Sequence, residues 1–348
     1  MNDRITINTI LLAHGGGGRL THELVSKIFK SKFNNPILDL LDDSAAFEIQ
    51  VGALNLTPLQ LAFTTDSYVV KPFFFPGGDI GKLAICGTVN DLSMKGAKPL
   101  YLSAAFIIEE GLEISILKRI VDSMVQSARE AEVQVVAGDT KVVEKGSGDG
   151  LFITTTGVGV IEDKSLKISG SNAEPGDLII LSGSVGEHGM AVMNARHQFG
   201  FESEFLKSDC APLNSLVTKM LETNQEIHTL RDPTRGGLAT TLNEIAQQSK
   251  VGIFIDERKI LVKEEVKGAC ELLGIDPLYV ANEGKLVTMV KRKSAEKILE
   301  VMHTHPYGKE AVIIGEVKEE PVGVFLQTEI GGTRPLLMLE AEQLPRIC

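Results

Sequence analysis

The hydrophobic positions in the first half of the chain alternate between strand-like and helix-like spacing. Short apolar runs bounded by Gly, Pro and polar residues predict strands, whereas apolar residues three and four positions apart predict helices. The predicted elements are a strand at 49–63, a helix at about 79–95, a strand at 100–108, a helix at 113–131, a strand at 133–137 and a Thr-rich strand at 151–161. This mixture predicts helices layered on a sheet.

The second half shows a similar mixture beyond a linker at 163–176, which contains several Gly and Pro residues. Its predicted strands lie at 178–182, 251–255, 285–290, 311–317 and 322–328, and its predicted helices lie near 187–199, 212–222, 237–249, 263–273 and 294–303. We therefore expect an α+β fold of two mixed α/β domains, 1–165 and 170–330. A flexible C-terminal tail, 331–348, should follow, because no turn signal there returns the chain to the body.

Composition and charge narrow the class of protein. The 348 residues include 35 Lys and Arg against 46 Asp and Glu, for a formal net charge of −11. Such a chain lacks the basic surface that nucleic acids and anionic membranes bind. No run of about 18 apolar residues predicts a membrane span, and the 4 scattered Cys residues predict neither a zinc site nor a disulfide framework. We expect a soluble cytoplasmic protein that binds neither nucleic acid nor membrane.

Asp residues recur in short polar segments after predicted strands and at one point inside a predicted helix. The segments are 42–45, 65–67, 90–91, 138–140 and 232–238. A single loop Asp is usually a turn former or a helix N-cap. Several converging carboxylates would instead bind Mg²⁺, which prefers oxygen ligands and is often shared with substrate phosphates. The set as a whole predicts a site for a nucleoside triphosphate and its metal ions.

Two further patterns bear on such a site. Gly236 and Gly237 open a predicted helix, and the free backbone N–H groups there are suited to hold a phosphate. Residues 15–18 are all Gly, but they match neither a Walker A nor a dinucleotide-binding motif, so we interpret them as a flexible loop. The His residues form no metal-binding pair, and we interpret His14, His22, His188 and His197 as structural.

Taken in order, the acidic segments resemble the ATP-binding superfamily of aminoimidazole ribonucleotide synthetase, selenophosphate synthetase and thiamine-phosphate kinase. The similarity spans nearly the whole chain, through Asp42-Asp43, Thr65-Asp66-Ser67, Val89-Asn90-Asp91-Leu92, Gly138-Asp139-Thr140 and Asp232-Pro233-Thr234-Arg235-Gly236-Gly237-Leu238. Two further segments are similar to the HypE family of hydrogenase maturation factors: Pro345-Arg346-Ile347-Cys348, and Gly138 to Val143 together with Asn282-Glu283-Gly284. The opening of the chain lacks the Cys or selenocysteine followed by Lys that selenophosphate synthetase carries.

The resemblance implies roles for individual residues. The implied Mg²⁺ ligands are Asp43, Asp66, Asp91 and Asp232, with Asp42 as the alternative to Asp43. The implied ATP-side residues are Asp42, Lys82, Asn90, Asp139, Thr140, Thr234 and Gly236. Cys348 is implied to carry the reacting group, and Lys141 and Glu283 are implied to orient it and move its protons.

The resemblance also implies an activity and partners. A carbamoyl group on the C-terminal Cys is dehydrated to a thiocyanate at the expense of ATP, and its cyanide becomes an iron ligand in [NiFe]-hydrogenase. The implied partners are a second copy of the chain bound through the N-terminal domains, with ATP near that interface, the carbamoyltransferase HypF, and the HypC–HypD complex as cyanide acceptor. Two alternatives stay open: a small-molecule kinase or synthetase of the same superfamily, and a scaffold that binds ATP as a structural ligand.

The tail itself predicts a moving carrier. The 16 residues after Gly332 reach about 50 Å when extended, at about 3.3 Å per residue. That length allows Cys348 to enter an ATP site in the body and also to visit another protein. Gly331 and Gly332 are the expected hinge, and Pro335 and Pro345 are expected to stiffen the arm.

Overall fold

The computed structural model describes residues 10–33, 35–49, 59–197, 204–223, 226–339, 344 and 346–348. Parts of the strand expected at 49–63 and of the helix expected near 187–199, as well as Pro345, lie outside the described residues. The chain enters the described part through short helical segments, which include a 3-10 turn at Leu12–Gly15, helix α1 at Arg19–Leu24, a π-helical turn at Val25–Lys30 and helix α2 at Ser31–Phe33.

The first domain is a mixed sheet covered on one face by two helices. Its elements are β1 (Ala45–Ile49), β2 (Leu59–Tyr68), the small hairpin β3 (Phe74–Phe75) and β4 (Gly78–Asp79), α3 (Ile80–Met94), β5 (Lys98–Glu109), α4 (Ile114–Glu130), β6 (Gln134–Val143) and β7 (Leu151–Val160). The strand order is β1-β2-β7-β5-β6. The pair β5 and β6 is parallel and the other pairs are antiparallel.

Helix α3 lies between this sheet and the second domain. The Asp79 side chain caps it, accepting hydrogen bonds from the backbone N–H groups of Gly81 at 2.7 Å and Lys82 at 3.1 Å. Nearly every residue of α3 is buried, as expected of a helix that is apolar on all sides. Asp91, near its C-terminal end, is therefore placed at the junction of the two domains.

The opposite face of the first sheet, here called the outer face, carries exposed apolar side chains. Phe63 pairs in register with Val158, and Val158 with Tyr101, so the three form one row across the sheet. Phe63 is 42% exposed, Tyr101 50% and Ile107 46%. An apolar sheet face of this kind marks an interaction surface in a water-soluble domain.

The second domain has a sheet whose central strands are buried on both faces. Its elements are β8 (Leu178–Leu181), α5 (Glu187–Ala195), α6 (Asn214–Leu221), β9 (Ile227–Arg231), α7 (Gly237–Ser249), β10 (Gly252–Asp256), α8 (Glu264–Leu273), β11 (Val287–Val290), α9 (Ala295–His303), β12 (Val312–Lys318), β13 (Gly323–Gln327) and β14 (Thr333–Pro335). The order is β14-β13-β10-β12-β8-β11-β9. In β8, Ile179 packs on the α7 side and Ile180 on the side of α6 and α9, so both faces are core.

The α+β class with two mixed domains is confirmed. The pattern missed β1, the hairpin of β3 and β4, β9 and β14. Two predicted strands also ended too early. The structure continues β2 to Tyr68, so that it contains Asp66, and β6 to Val143, so that it contains Asp139. Polar residues within these strands conceal their continuation. No helix in the described ranges has both the length and the apolar character needed to cross a bilayer.

Candidate active site

Four of the predicted carboxylates converge where the two domains meet. Asp43 precedes β1, Asp66 lies near the end of β2, Asp91 lies on α3 and Asp232 follows β9. Asp232 is buried and the other three are half-buried. The Thr64 hydroxyl on β2 lies 2.8 Å from Asp91 Oδ2 and 3.1 Å from the backbone oxygen of Asp43, which ties these segments together.

Burial raises the pKa of every carboxyl in this acidic group, and neighbouring carboxylates raise it further for Asp43, Asp91 and Asp232. Burial is the larger cause for Asp91, and the charges of Asp232, Asp66 and Asp43 raise its pKa further. Burial likewise raises the pKa of Asp43 and Asp66, and it raises the pKa of Asp232 to about 6 against the opposing effect of Arg231. Like charges held this close favour either protonation or a bound cation.

Arg231 supplies part of the compensating charge. Its Nε lies 2.8 Å from Asp43 Oδ2, and its Nη2 donates to Glu244 Oε2 at 2.5 Å. His22 of α1 lies 2.9 Å from the other oxygen of Glu244. A chain of charged groups thus connects the N-terminal helix with the acidic group.

The donor set fits Mg²⁺, because it consists of carboxylate oxygens whose negative charges lie close together and would be neutralised by a cation. Within the described residues, no three His, Cys, Asp or Glu side chains are already arranged to chelate one ion. Mg²⁺ is usually held by one or two carboxylates plus waters and substrate phosphates, so a preformed cage is not required.

Asp42 and Asp43 have different surroundings, which separates two residues that the sequence left as alternatives. Asp42 forms a buried ion pair with Lys95 and accepts hydrogen bonds from Ser169 Oγ and the Gly170 backbone N–H, both at 2.9 Å. Its two oxygens are thus used to join the first domain to the linker. Asp43, not Asp42, belongs to the acidic group, and the nucleotide-side role expected of Asp42 does not fit this arrangement.

Asn90 is also placed differently from the expectation. It is 1% exposed, its Nδ2 donates to the backbone oxygen of Ala211 at 3.1 Å, and its Oδ1 accepts from the Leu213 backbone N–H at 2.7 Å. Its Nδ2 also lies 3.4 Å from the backbone oxygen of Glu283. Asn90 therefore links α3 to the second domain and supports the loop of Glu283, so its amide does not face a nucleotide.

Glu283 lies in a tightly fixed loop beside the acidic group. Its backbone N–H and that of Gly284 donate to the Asp209 carboxylate at 3.2 and 3.3 Å. A Cβ on Gly284 would come within 1.9 Å of the Asp209 carbonyl oxygen, so this close approach requires glycine. Glu283 is 3% exposed, its Oε1 has no hydrogen-bond partner among the described residues, and burial raises its pKa well above the usual range.

The C-terminal tail ends in this site. Cys348 is buried, and its thiol lies close to the Glu283 carboxyl. Burial raises the pKa of the Cys348 thiol, the charges of Glu283 and Asp66 add to that effect, and Arg235 opposes it. The structure therefore holds Cys348 inside the body, on the Glu283 side that the sequence predicted.

The expected hinge has a different form. Gly331 donates its N–H to the Thr328 oxygen at 2.9 Å, and Gly332 accepts from the Thr328 N–H at 2.7 Å, which makes a hairpin turn. The turn leads into β14, which pairs with β13. In this arrangement the arm begins after Leu336, whose N–H donates to the Val324 oxygen of β13 at 2.8 Å, because the first residues of the segment 331–348 are part of the second sheet.

The Gly-rich loop at 15–18 covers the tail. The backbone N–H of Arg19 donates to the Leu339 oxygen at 2.9 Å, and Arg235 Nη1 donates to the Gly15 oxygen at 2.9 Å. A Cβ on Gly18 would approach the Leu339 oxygen to 2.2 Å. The loop thus packs closely against the tail rather than standing free.

The N-terminus of α7 borders the acidic group. Gly236 has φ +80° and Gly237 φ +61°, a region that favours glycine. A Cβ on Gly236 would lie 2.3 Å from Thr240 Oγ1. Thr234 is half-buried two residues after Asp232, and its oxygen accepts from the Gly237 N–H at 2.9 Å. Thr234 and Gly236 both follow Asp232 within four positions of the chain, and their role on the nucleotide side stays a prediction.

One group of predicted residues is not brought to the acidic group by a single chain. Asp139 pairs in register with Ala105 and Lys141 with Ile107, which places both side chains on the outer face of the sheet, whereas Asp66 lies on the helix-covered face. Three strand spacings, about 14 Å, also separate β6 from β2. Thr140 is exposed, and Asp139 and Lys141 form an ion pair of 2.8 Å with each other.

Lys82 also lies apart from the carboxylates. It begins α3, nine residues before Asp91, or about 13 Å along the helix at 1.5 Å per residue. Its Nζ lies 3.3 Å from the Gly77 oxygen. Arg231, Arg235 and His188 lie beside site residues, but no functional role was predicted for any of them from the sequence. Arg231 directly precedes the motif 232–238 and Arg235 lies inside it, which was the available signal.

Comparison with known proteins agrees with this arrangement. Residues 42–161 match the N-terminal domain, and residues 174–327 the C-terminal domain, of AIR synthase related proteins. A structure of a thiamine-phosphate kinase with AMPPCP and TMP, 20% identical, has a TM-score of 0.69 over 96% of this chain and 99% of that chain, which shows the shared fold. The fold and the acidic site thus define an AIR synthase related protein.

More similar proteins narrow the class. The chain is 52% identical to carbamoyl dehydratase HypE of Azotobacter vinelandii, over 98% of this chain and 97% of the relative, and 46% identical to that of Escherichia coli K12, over 98% and 100%. A HypE structure in complex with ATP has a TM-score of 0.80 at 48% identity, covering 98% of this chain and 100% of that one. A structure of a HypE–HypF complex has a TM-score of 0.84 at 51% identity, covering 91% and 99%. The chain belongs to the HypE family of carbamoyl dehydratases, as its resemblance implied.

Proposed function

We propose that this protein dehydrates a carbamoyl group on its own Cys348 to a thiocyanate, with ATP as the second substrate. The observation that carries the proposal is the position of the buried Cys348 thiol, close to Glu283 and to the acidic group. A group carried on that sulfur meets a proton acceptor on one side and carboxylates suited to a nucleotide's metal ions on the other.

The chemistry explains why ATP is needed. The carbamoyl oxygen attacks the γ-phosphorus, the bond from that phosphorus to the β–γ bridging oxygen breaks, and ADP leaves with the electron pair. One N–H proton is lost and a C=N bond forms. Loss of the second N–H proton then breaks the C–O bond, phosphate leaves with its electron pair, and Cys348–S–C≡N remains. Phosphorylation thus replaces an impossible oxide leaving group with phosphate.

The residues of the chain divide this work. Glu283, whose loop is fixed by Asp209, is the acceptor for the N–H protons, because its carboxyl lies beside Cys348. Asp43, Asp66, Asp91 and Asp232 hold the metal ions, and Thr234, Gly236 and the N–H groups opening α7 face the phosphates. Bound Mg²⁺ supplies neutralisation of the phosphate charge.

We further propose a homodimer formed through the first domain. The exposed row of Phe63, Tyr101 and Ile107 on the outer face supports this, because a water-soluble domain seldom leaves such a face uncovered. In the dimer, Asp139, Thr140 and Lys141 of one copy serve the site of the other. This would explain why Asp139 and Lys141 lie on the outer face of the sheet, opposite the face that carries Asp66 of their own chain.

The proposed partners follow the path of the carried group. A HypF-type carbamoyltransferase loads Cys348, consistent with the HypE–HypF complex known for a protein 51% identical. A HypC–HypD complex accepts the cyanide for the iron of [NiFe]-hydrogenase. We place these steps in the cytoplasm.

The experiment is intact-mass analysis of the carbamoylated protein. With MgATP, the chain should lose the mass of one water while ADP and phosphate appear in equal amount. ATP without metal, and the uncarbamoylated protein with MgATP, are the controls. Phosphorylation of a diffusible compound without a mass change on the chain would identify a small-molecule kinase. An unchanged carbamoyl group with no ATP consumption would support the scaffold.

A further inference from the structure

The last residues of the chain are held along one edge by the backbone after β2. The Val69 N–H donates to the Cys348 oxygen at 3.2 Å, and the Lys71 N–H donates to the Arg346 oxygen at 3.2 Å. Arg196 strengthens this edge by donating its Nε to the Lys71 oxygen at 2.6 Å and its Nη2 to the Arg346 oxygen. Residues 346–348 thus lie beside 69–71 in the manner of an added strand.

The other edge is held by a buried imidazole. Between Arg346 and Cys348, the Ile347 oxygen bonds a partner outside residues 69–71. His188 Nε2 lies 2.6 Å from that oxygen, and His188 Nδ1 lies 2.8 Å from Ser208 Oγ. His188 is 0% exposed and its ring lies edge-on to Phe75, with ring centroids 5.3 Å apart.

The partners of His188 fix its tautomer. A backbone carbonyl only accepts hydrogen bonds, so Nε2 carries the proton donated to Ile347. Nδ1 is then the acceptor and the Ser208 hydroxyl its donor, while Ser208 Oγ accepts from the Cys210 N–H at 3.1 Å. Each polar atom in this buried chain of contacts has one consistent role.

We propose that His188 is a positioning residue for the dehydration: its Nε2–H holds the peptide plane between Ile347 and Cys348 and so directs the Cys348 sulfur toward Glu283. With a backbone carboxylate oxygen of Cys348 held by the Val69 N–H, the final residue is fixed at both of its ends. This inference rests on the proposed function for the identity of the carried group, but the docking it describes is measurable without turnover.

The test compares His188→Leu with His188→Gln, because the Gln amide nitrogen can occupy the place of Nε2 and still donate to Ile347. The first readout is alkylation of Cys348 in the full-length protein, followed by mass spectrometry of the C-terminal peptide. The net effect of one hydrogen bond predicts an about tenfold faster alkylation in His188→Leu and a rate within about twofold of wild type in His188→Gln.

The second readout separates positioning from binding. On the carbamoylated protein, His188→Leu should lower the kcat for nitrile formation by about tenfold while leaving the KM for ATP within about twofold, and His188→Gln should restore kcat. His305→Leu is the matched control, since His305 is a buried imidazole beside a hydroxyl, Ser215, at 3.1 Å. It should change neither readout.

Wild-type alkylation and kcat in His188→Leu would overturn the proposal, as would equal losses in His188→Gln and His188→Leu at unchanged thermal stability. If His188→Leu fails to fold, Ser208→Ala replaces it and should raise the alkylation rate by a smaller factor, because Nδ1 loses its donor. If the wild-type protein makes no nitrile, the proposed function fails and alkylation alone decides the role of His188.

Discussion

The junction of the domains and the outer face of the first sheet contain the same residue types in opposite electrostatic states. At the junction, burial and neighbouring carboxylates raise the pKa of Asp91 and Asp232. On strand β6, hydrogen bonding and charge from Lys141 lower the pKa of Asp139, which is 63% exposed. Both groups come from motifs that the sequence assigned to one site.

Both groups are incomplete in a single chain, and the difference between them indicates what each one lacks. The junction has excess negative charge, which favours either protonation or a bound cation. The β6 group is already neutralised by its own ion pair but lies on a face that is exposed and apolar elsewhere. This position supports the second copy of the chain proposed above. A metal ion and a second copy would complete the site from two directions.

The largest effect should come from removing the group that reaches the junction. Cys348→Ala should abolish nitrile formation while lowering the free energy of unfolding by less than about 1 kcal/mol, because the backbone contacts of residue 348 remain. Intact-mass analysis and urea unfolding measure the two quantities. Product formation at wild-type level in this variant would move the carrier role to another Cys.

The next largest effect tests whether the two groups meet across a dimer. Glu283→Gln and Lys141→Ala should each lower kcat by at least about 100-fold, the usual range for lost proton transfer. When the two inactive variants are mixed and allowed to exchange subunits, about half of the dimers become mixed and each has one intact site. About a quarter of wild-type activity should return.

Two controls sharpen that experiment. Mixing either variant with itself should restore nothing. Tyr101→Glu on the outer face should prevent both dimerisation and complementation, as measured by analytical ultracentrifugation. Activity that stays absent in the mixture, with exchange demonstrated by mass spectrometry, would place both groups in the same chain and contradict the two-direction arrangement.

A smaller effect distinguishes charge at the junction from structural charge beside it. Asp91→Asn should weaken MgATP binding by at least about tenfold and raise the stability of the metal-free protein by about 1 kcal/mol, since one repelling charge is removed. Asp42→Asn should instead lower stability and leave MgATP binding almost unaffected. It leaves Lys95 without its buried partner, so stability should fall by about 3 kcal/mol with MgATP affinity nearly unchanged. Calorimetry measures the MgATP affinity of the two variants, and urea unfolding measures their stability. Identical behaviour of the two variants would contradict the different roles of Asp91 and Asp42.

The smallest effect is the pH dependence of the metal-free protein. A carboxyl whose pKa is higher in the folded than in the unfolded chain binds more protons when folded, so stability rises as pH falls through the folded pKa. Since the pKa of Asp232 is raised to about 6, the free energy of unfolding should increase between about pH 7 and pH 5. Urea unfolding at constant ionic strength measures it, and Asp91→Asn should flatten the slope. Stability that declines over this range would contradict the repulsion.

The convergence of the four Asp residues was predictable only because their motifs together resemble one ATP-binding superfamily, since a single loop Asp is usually a turn former or a helix N-cap. The face on which Asp139 and Lys141 lie was not, because a register change of one residue in a strand moves a side chain to the opposite face. The structural roles of Asp42 and Asn90 depend on backbone groups from distant segments. His188 gave no signal, since its partner is a carbonyl 159 residues further along the chain.

The hairpin that leads into β14 has a kinetic consequence for the carried group. Only 12 residues, Leu337 to Cys348, lie beyond the last backbone bond to β13, so the arm reaches about 40 Å at about 3.3 Å per residue. A tether of that length keeps the carbamoyl group at an effective concentration of about millimolar near the catalytic residues of the same chain. Turnover of the loaded protein should therefore be first order and independent of protein concentration, and any enzyme that loads the thiol must bring its own site within the same radius.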